Sequence, residues 1–191
     1  MDYKKYQSAR DAAWKILVDQ HICELPVPII RICHTLGIAV KYDPKLTNKI
    51  NSGQSTIVNG KPYILLAQDC SQKRMRFTVA HELGHIILGH VGEYELINRE
   101  PSSADNLIEQ EANVFASRLL APACVLWGCN VQSPEEISKL CDITITAAKY
   151  RYERYCDLLQ RNRFLQSSLE RTVYDQFKSF IIRNREHPQV D

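Results

Sequence analysis

The chain has 191 residues, 45% of them apolar and 24% charged, with a net charge of +2. Those figures exclude global disorder and a strong global field for nucleic acid or anionic lipid, and the length suits one domain with a small appendage. Seven cysteines, at 23, 33, 70, 124, 129, 141 and 156, form no Cys-x-x-Cys pair, which speaks against a disulfide framework or a four-thiolate zinc site.

No apolar run approaches the ~20 residues that span a bilayer. The first six residues carry charge with no apolar stretch behind them, so no leader is expected. The reading is a soluble, cytoplasmic protein whose thiols act as small buried hydrophobes.

In chain order, the pattern predicts a helix over 3–20, with Ala13, Ile16, Leu17 and His21 near one stripe. A second helix over 28–36 stops at Gly37, and 38–42 reads as a strand closed by Asp43-Pro44. Residues 54–58 and 63–66 flank Asn59-Gly60, the pair favoured in two-residue hairpin turns because both accept positive φ. Pro62 cannot donate to a ladder and belongs at a strand start or edge. Helices follow over 71–90 and 105–120, the latter stopped near Pro122. Two shorter ones cover 133–141 and 144–159, and a last one covers 168–182. Ser133-Pro134-Glu135-Glu136 and residues 167–170 have capping-box spacing. Residues 91–103 are the expected mobile loop. The fold class is α+β, predominantly helical with a small β-hairpin.

The chemistry starts at His81-Glu82-Leu83-Gly84-His85. Shuffling this composition would yield His-Glu-x-x-His about 0.01 times. On a helix, His81 and His85 lie roughly 40° apart and one turn apart, so two imidazoles can hold one Zn²⁺. Glu82 falls on the adjoining flank, poorly placed to ligate but able to serve as general base toward a water. Phe77, Val79, Ala80, Leu83, Ile86, Ile87 and Leu88 mark the helix as buried, where two His and a Glu would be costly without a cation. Gly89, one turn after His85, is expected to leave space for a substrate on the ligand face.

A catalytic zinc usually has three protein ligands. His90, Glu93, Glu95, Glu109 and Glu111 are the candidates for the third. His90 lies ~140° round the helix from His85 and faces away if the helix continues. On the 105–120 helix, Leu107, Ile108, Ala112, Val114, Phe115 and Leu119 form the apolar stripe. Glu111 falls inside it, near 40° from Leu107, and Glu109 falls at its margin, near 200°, close to Asn113 and Ser117. A carboxylate within a buried stripe needs a cation, so Glu111 is chosen as third ligand. The competing reading is a salt bridge from Glu111 to Arg118 or another buried base.

Residues 76–85, with 109–116 and Leu119-Leu120-Ala121-Pro122, resemble the ImmA/IrrE family of metallo-endopeptidases over roughly residues 10–160. The resemblance implies a small zincin-like core of helices with a short sheet, and the chain is read as a peptidase domain over 1–130 with a C-terminal helical segment, 131–191, packed on it. It implies one zinc per chain on His81, His85 and the Glu before Ala-Asn, Glu111, with Glu82 catalytic. It also implies cleavage of a helix-turn-helix repressor of a mobile element or stress regulon. Ala121 stands where the family usually has Met, and Gly89 where members often have a His. Tyr94, His90 and Arg74 are candidate oxyanion donors, and 54–58 is a candidate edge strand for pairing with substrate.

The C-terminal segment has a helix-turn-helix outline, with Lys149, Arg151 and Arg154 interleaved with Tyr150, Tyr152 and Tyr155. From residue 149 to the end there are nine Lys/Arg and six Asp/Glu, a net of +3. That is sparse for DNA binding, which favours a helical hairpin with its cations solvated. Two readings compete with the peptidase. One is a DNA-binding or sensory regulator with a structural or vestigial metal site. The other is a partner that holds a repressor without cutting it.

Overall fold

The turn at Asn59-Gly60 organises the sheet: both residues take positive φ, 52° and 71°, as a primed hairpin turn requires. It joins β2 (Gly53–Val58) to β3 (Lys61–Leu66) antiparallel, with Gly53 opposite Leu66 and Val58 opposite Lys61. β1 (Ala39–Tyr42) runs parallel to β3, from Ala39 opposite Tyr63 to Tyr42 opposite Leu66. Pro62 faces Ile57 and precedes the β1 pairing, so the interior of the three-stranded ladder has no missing donor. The order is β1-β3-β2, which leaves β2 as an edge.

This computed structural model describes residues 6–48, 52–91 and 103–186. Its helices are α1 (Gln7–Asp19), α2 (Ile29–Thr35), α3 (Gln72–Ile87), α4 (Ser103–Leu120), α5 (Ala123–Gly128), α6 (Pro134–Cys141), α7 (Ile145–Gln160), α8 (Ser168–Gln176) and α9 (Lys178–Glu186). None is long and apolar enough to cross a membrane. The hairpin, the caps and most helices match the sequence expectation. α5 does not, because six residues are too few to show a helical period. The single helix expected over 168–182 is interrupted at Phe177, between α8 and α9. The expected loop at 91–103 lies almost wholly outside the described residues.

The chain forms two compact units: Met1–Ala12 with Pro28–Ala116, and Ala13–Val27 with Ser117–Asp191. The sequence expectation drew one boundary after residue 130. In the first unit, α3 packs on β2 and β3, and α2 packs on α3 and β1. Ile32, Ile64, Leu66, Val79, Leu83, Ala112 and Phe115 are buried there. The Tyr6 hydroxyl donates to Gln110 of α4.

Gly53 sets how closely β2 meets α3. A Cβ at that position would stand 2.3 Å from Thr78 Cγ2 and 3.3 Å from the Leu65 carbonyl oxygen. Gly53→Ala is therefore expected to cost about 1–3 kcal/mol through overpacking. Thr78→Ser in the same chain removes Cγ2 but keeps the hydroxyl that donates to Ser52, and should recover most of that loss. Denaturant unfolding of the four chains measures the coupling; purely additive effects would contradict the contact.

In the second unit, Gln176 Nε2 donates to the carbonyls of Leu17 (2.7 Å) and Ile22 (2.6 Å). Trp127 stacks on Phe164 at 5.3 Å. α6 and α7 pack together through a turn at Asp142, which takes φ 51°. Ser133 caps α6 as expected, its Oγ accepting from the Glu136 N–H, and Thr144 caps α7, its Oγ1 accepting from the Ala147 N–H. Arg151 departs from its expected place on a solvated basic face. It is 2% exposed, its Nε donates to the Ala121 carbonyl at 2.7 Å, and burial lowers its pKa to about 10.

Candidate metal centre

Ser71 starts the helix that carries the site. Its Oγ accepts from the Arg74 N–H, and α3 then runs unbroken through His81, Glu82 and His85. One turn apart, the two rings bring their Nε2 atoms to 3.0 Å of each other. Glu109 of α4 completes the group: Oε2 lies 3.3 Å from His81 Nε2 and Oε1 3.3 Å from His85 Nε2. Zinc–ligand bonds of 2.0–2.1 Å at tetrahedral angles imply ligand–ligand edges of about 3.3–3.4 Å. The two Nε2 atoms, 3.0 Å apart, and the carboxylate that sets one oxygen 3.3 Å from each ring, with the ligand atoms all within 4.8 Å of one another, come close to such spacing. Among the described residues, His81, His85 and Glu109 are the group of three able to hold a metal ion.

Glu111, the expected third ligand, is not in that group; its Oε2 pairs with His90 Nε2 at 3.2 Å. The reason is rotational. At ~100° per residue, Glu109 and Glu111 lie about 160° apart, on opposite flanks of the ridge that α4 presents to α3. Glu109 falls on the flank of Asn113, whose Oδ1 lies 3.0 Å from His81 Nδ1. Exposure follows the same division: the Glu109 side chain is 57% exposed and that of Glu111 22%.

The approach of α4 to α3 depends on Gly84. A Cβ there would meet Phe115 Cδ1 at 3.0 Å and Ala112 Cα at 3.3 Å. Alanine would gain about 1 kcal/mol of helix propensity, which offsets part of the overpacking cost of about 1–3 kcal/mol. Leucine cannot be accommodated by so small a shift. Gly84→Leu is expected to lower Tm and to reduce the uptake of a metal ion by parting the two helices; undiminished metal content by elemental analysis would contradict this role.

Electrostatics make the pocket ready for a cation. Hydrogen bonds from His81, then from His85, hold Glu109 far below the usual carboxylate range. Burial works to lower the His81 pKa, yet it stands raised, because Glu109 and Glu82 favour the protonated ring. For His90, burial and the neighbouring His85 lower the pKa against the pull of Glu111.

Glu82 is buried on the β2 side of α3, where Ser55 Oγ donates to its Oε2 at 2.8 Å. Ser55, Asn113 and Gly53 were not picked out as site residues from sequence; Asn113 is the one with a local signal, standing one helical turn after Glu109.

Gly89 lies past the end of the helix, and a Cβ there would meet nothing within 4 Å. α3 ends at Ile87, Leu88 caps it, and Gly89 turns left-handed at φ 75°. That turn returns His90 to the His85 ring, with Nδ1 to Nδ1 at 3.2 Å, where a continuous helix would have pointed it away. Of the proposed oxyanion donors, Arg74 reaches the Asn48 carbonyl from the first turn of α3, and His90 is engaged by His85 and Glu111. Tyr94, and the candidate ligands Glu93 and Glu95, lie outside the described residues.

A family model, Peptidase_M78, the IrrE N-terminal-like domain, matches residues 33–151. That span contains α3, α4 and the whole His81–His85–Glu109 group. No curated protein matches the chain.

Proposed function

We propose, on the premise that the chain belongs to this IrrE-like peptidase family, that it is a zinc-dependent endopeptidase acting on a protein substrate. The observation that carries the reading is the convergence of His81, His85 and Glu109 from two helices, with the Glu82 carboxylate on the adjoining flank. A donor set of two imidazoles and one carboxylate suits catalytic zinc better than calcium or magnesium. Bound there, zinc supplies a Lewis acid that polarises the scissile carbonyl and brings the pKa of a water toward ~7.

The remaining chemistry belongs to the chain. Glu82 takes the proton from water as it attacks the scissile carbon and delivers that proton to the leaving amide nitrogen. Ser55 holds the Glu82 carboxylate against β2. The outer edge of β2, beside Glu82, offers backbone groups to an extended substrate segment, which docks as an added strand. The resemblance of the motifs to ImmA/IrrE enzymes supports a helix-turn-helix repressor as substrate, and such a substrate places the reaction in the cytoplasm. A DNA-binding role is the weaker reading, since burial of Arg151 removes one of three cations from the α7 face.

The test is co-expression with helix-turn-helix repressors encoded nearby, followed by mass mapping of fragments. One discrete cut that a zinc chelator abolishes is expected. An intact repressor recovered in complex with the zinc-loaded chain would contradict the proposal.

A further inference from the structure

The contacts behind the metal centre follow one donor–acceptor logic. The Glu111 carboxylate can only accept, so the facing His90 Nε2, 3.2 Å away, carries a hydrogen. In a neutral imidazole the other nitrogen is then an acceptor. His90 Nδ1 lies 3.2 Å from His85 Nδ1, so the hydrogen between them belongs to His85. Where a metal ion takes the place of the ring hydrogen that otherwise faces Glu109, a neutral His85 directs its Nε2 lone pair to the point where His81 Nε2 and Glu109 converge.

The backbone is built to make this chain of contacts. The His90 N–H donates to the His85 carbonyl at 2.8 Å, closing the helix cap around left-handed Gly89. The cap places the two rings edge to face, with centroids 5.3 Å apart. The His90 side chain is 9% exposed. The other ligand ring is treated alike, His81 Nδ1 facing the Asn113 carbonyl oxygen at 3.0 Å. Each ring is thus held through Nδ1 by an acceptor from α4, directly for His81 and through one imidazole for His85.

We propose that Glu111 and His90 are positioning residues: a carboxylate–imidazole pair that fixes the tautomer and orientation of His85, so that its Nε2 is presented to the metal. The proposal rests on the zinc reading above. Such acceptors behind a ligating histidine typically contribute 10–100-fold to metal affinity.

The test compares the full chain with Glu111→Leu, Glu111→Gln, His90→Phe and Glu109→Leu. Zinc affinity is measured by competition with a chromophoric chelator, and ring tautomers by two-bond ¹H–¹⁵N spectra. Glu111→Leu and His90→Phe are expected to weaken zinc binding about 10–100-fold while still saturating at one zinc per chain. Glu111→Gln, whose carbonyl still accepts from His90, should recover most of the affinity. Glu109→Leu should lose more than any of the others. The His90 ring should carry its hydrogen on Nε2 in the parent chain, with or without zinc, and become a mixture in Glu111→Leu.

Unchanged affinity and an unchanged His90 ring in Glu111→Leu would overturn the proposal. So would loss of zinc stoichiometry in Glu111→Leu with retention in Glu109→Leu, which would make Glu111 the ligand. A parent chain that binds no zinc would defeat the underlying reading. The His90 tautomer in the zinc-free chain, and its response to Glu111→Leu, would then decide the contact by itself.

Discussion

Glu82→Gln is expected to hold one zinc per chain and to cleave its protein substrate about 10²–10⁴-fold more slowly, the usual worth of general acid–base catalysis. Glutamine has almost the same shape, and its carbonyl oxygen can still accept from Ser55 Oγ, which donates to the native carboxylate at 2.8 Å. Packing on the β2 side of α3 therefore survives the change. An amide cannot take a proton from water at neutral pH, so the step that makes the nucleophile is lost. Elemental analysis and fragment mapping on one preparation separate the two properties. Cleavage at the parent rate would remove Glu82 from the chemistry, and loss of zinc would make it structural.

His85→Ala has the largest expected effect on the metal. His85 Nε2 is one of the three converging atoms, and its ring also contacts His81 and His90. The variant removes a ligand and leaves the Glu111–His90 pair with nothing to hold. Stoichiometric zinc should be lost. A ligand at 100 times its Kd stabilises a fold by about 2.7 kcal/mol. The parent Tm should therefore rise on adding zinc, and that of His85→Ala should not. Equal rises would place the ion elsewhere.

The elements that bound the site were legible where one local rule governs them. Asn59-Gly60 marked the hairpin because its turn requires positive φ at both positions. The His-Glu-x-x-His spacing placed two rings on one face because α-helical geometry does so wherever the helix is formed. The third member of the converging group obeyed no such rule. Burial inside an apolar stripe identified Glu111 as a carboxylate in need of a partner, and it has one, His90. The carboxylate that converges on the two rings, Glu109, lies instead at the boundary between core and solvent.

His90 was misplaced for a related reason. Its direction depends on where α3 stops, and left-handed Gly89 rather than a continuing period decides that. Gly53 and Gly84 carried no sequence signal at all. Their value lies in what presses on them, Thr78 in one case and Phe115 in the other, and those contacts exist only in the fold.

Diffraction data collected at the zinc absorption edge from crystals of the zinc-loaded chain test the central claim most directly. The account predicts a single anomalous peak about 2.0–2.2 Å from His81 Nε2, His85 Nε2 and a Glu109 oxygen, with Glu111 still on His90. A peak ligated by Glu111, or one bound away from the two rings, would contradict it.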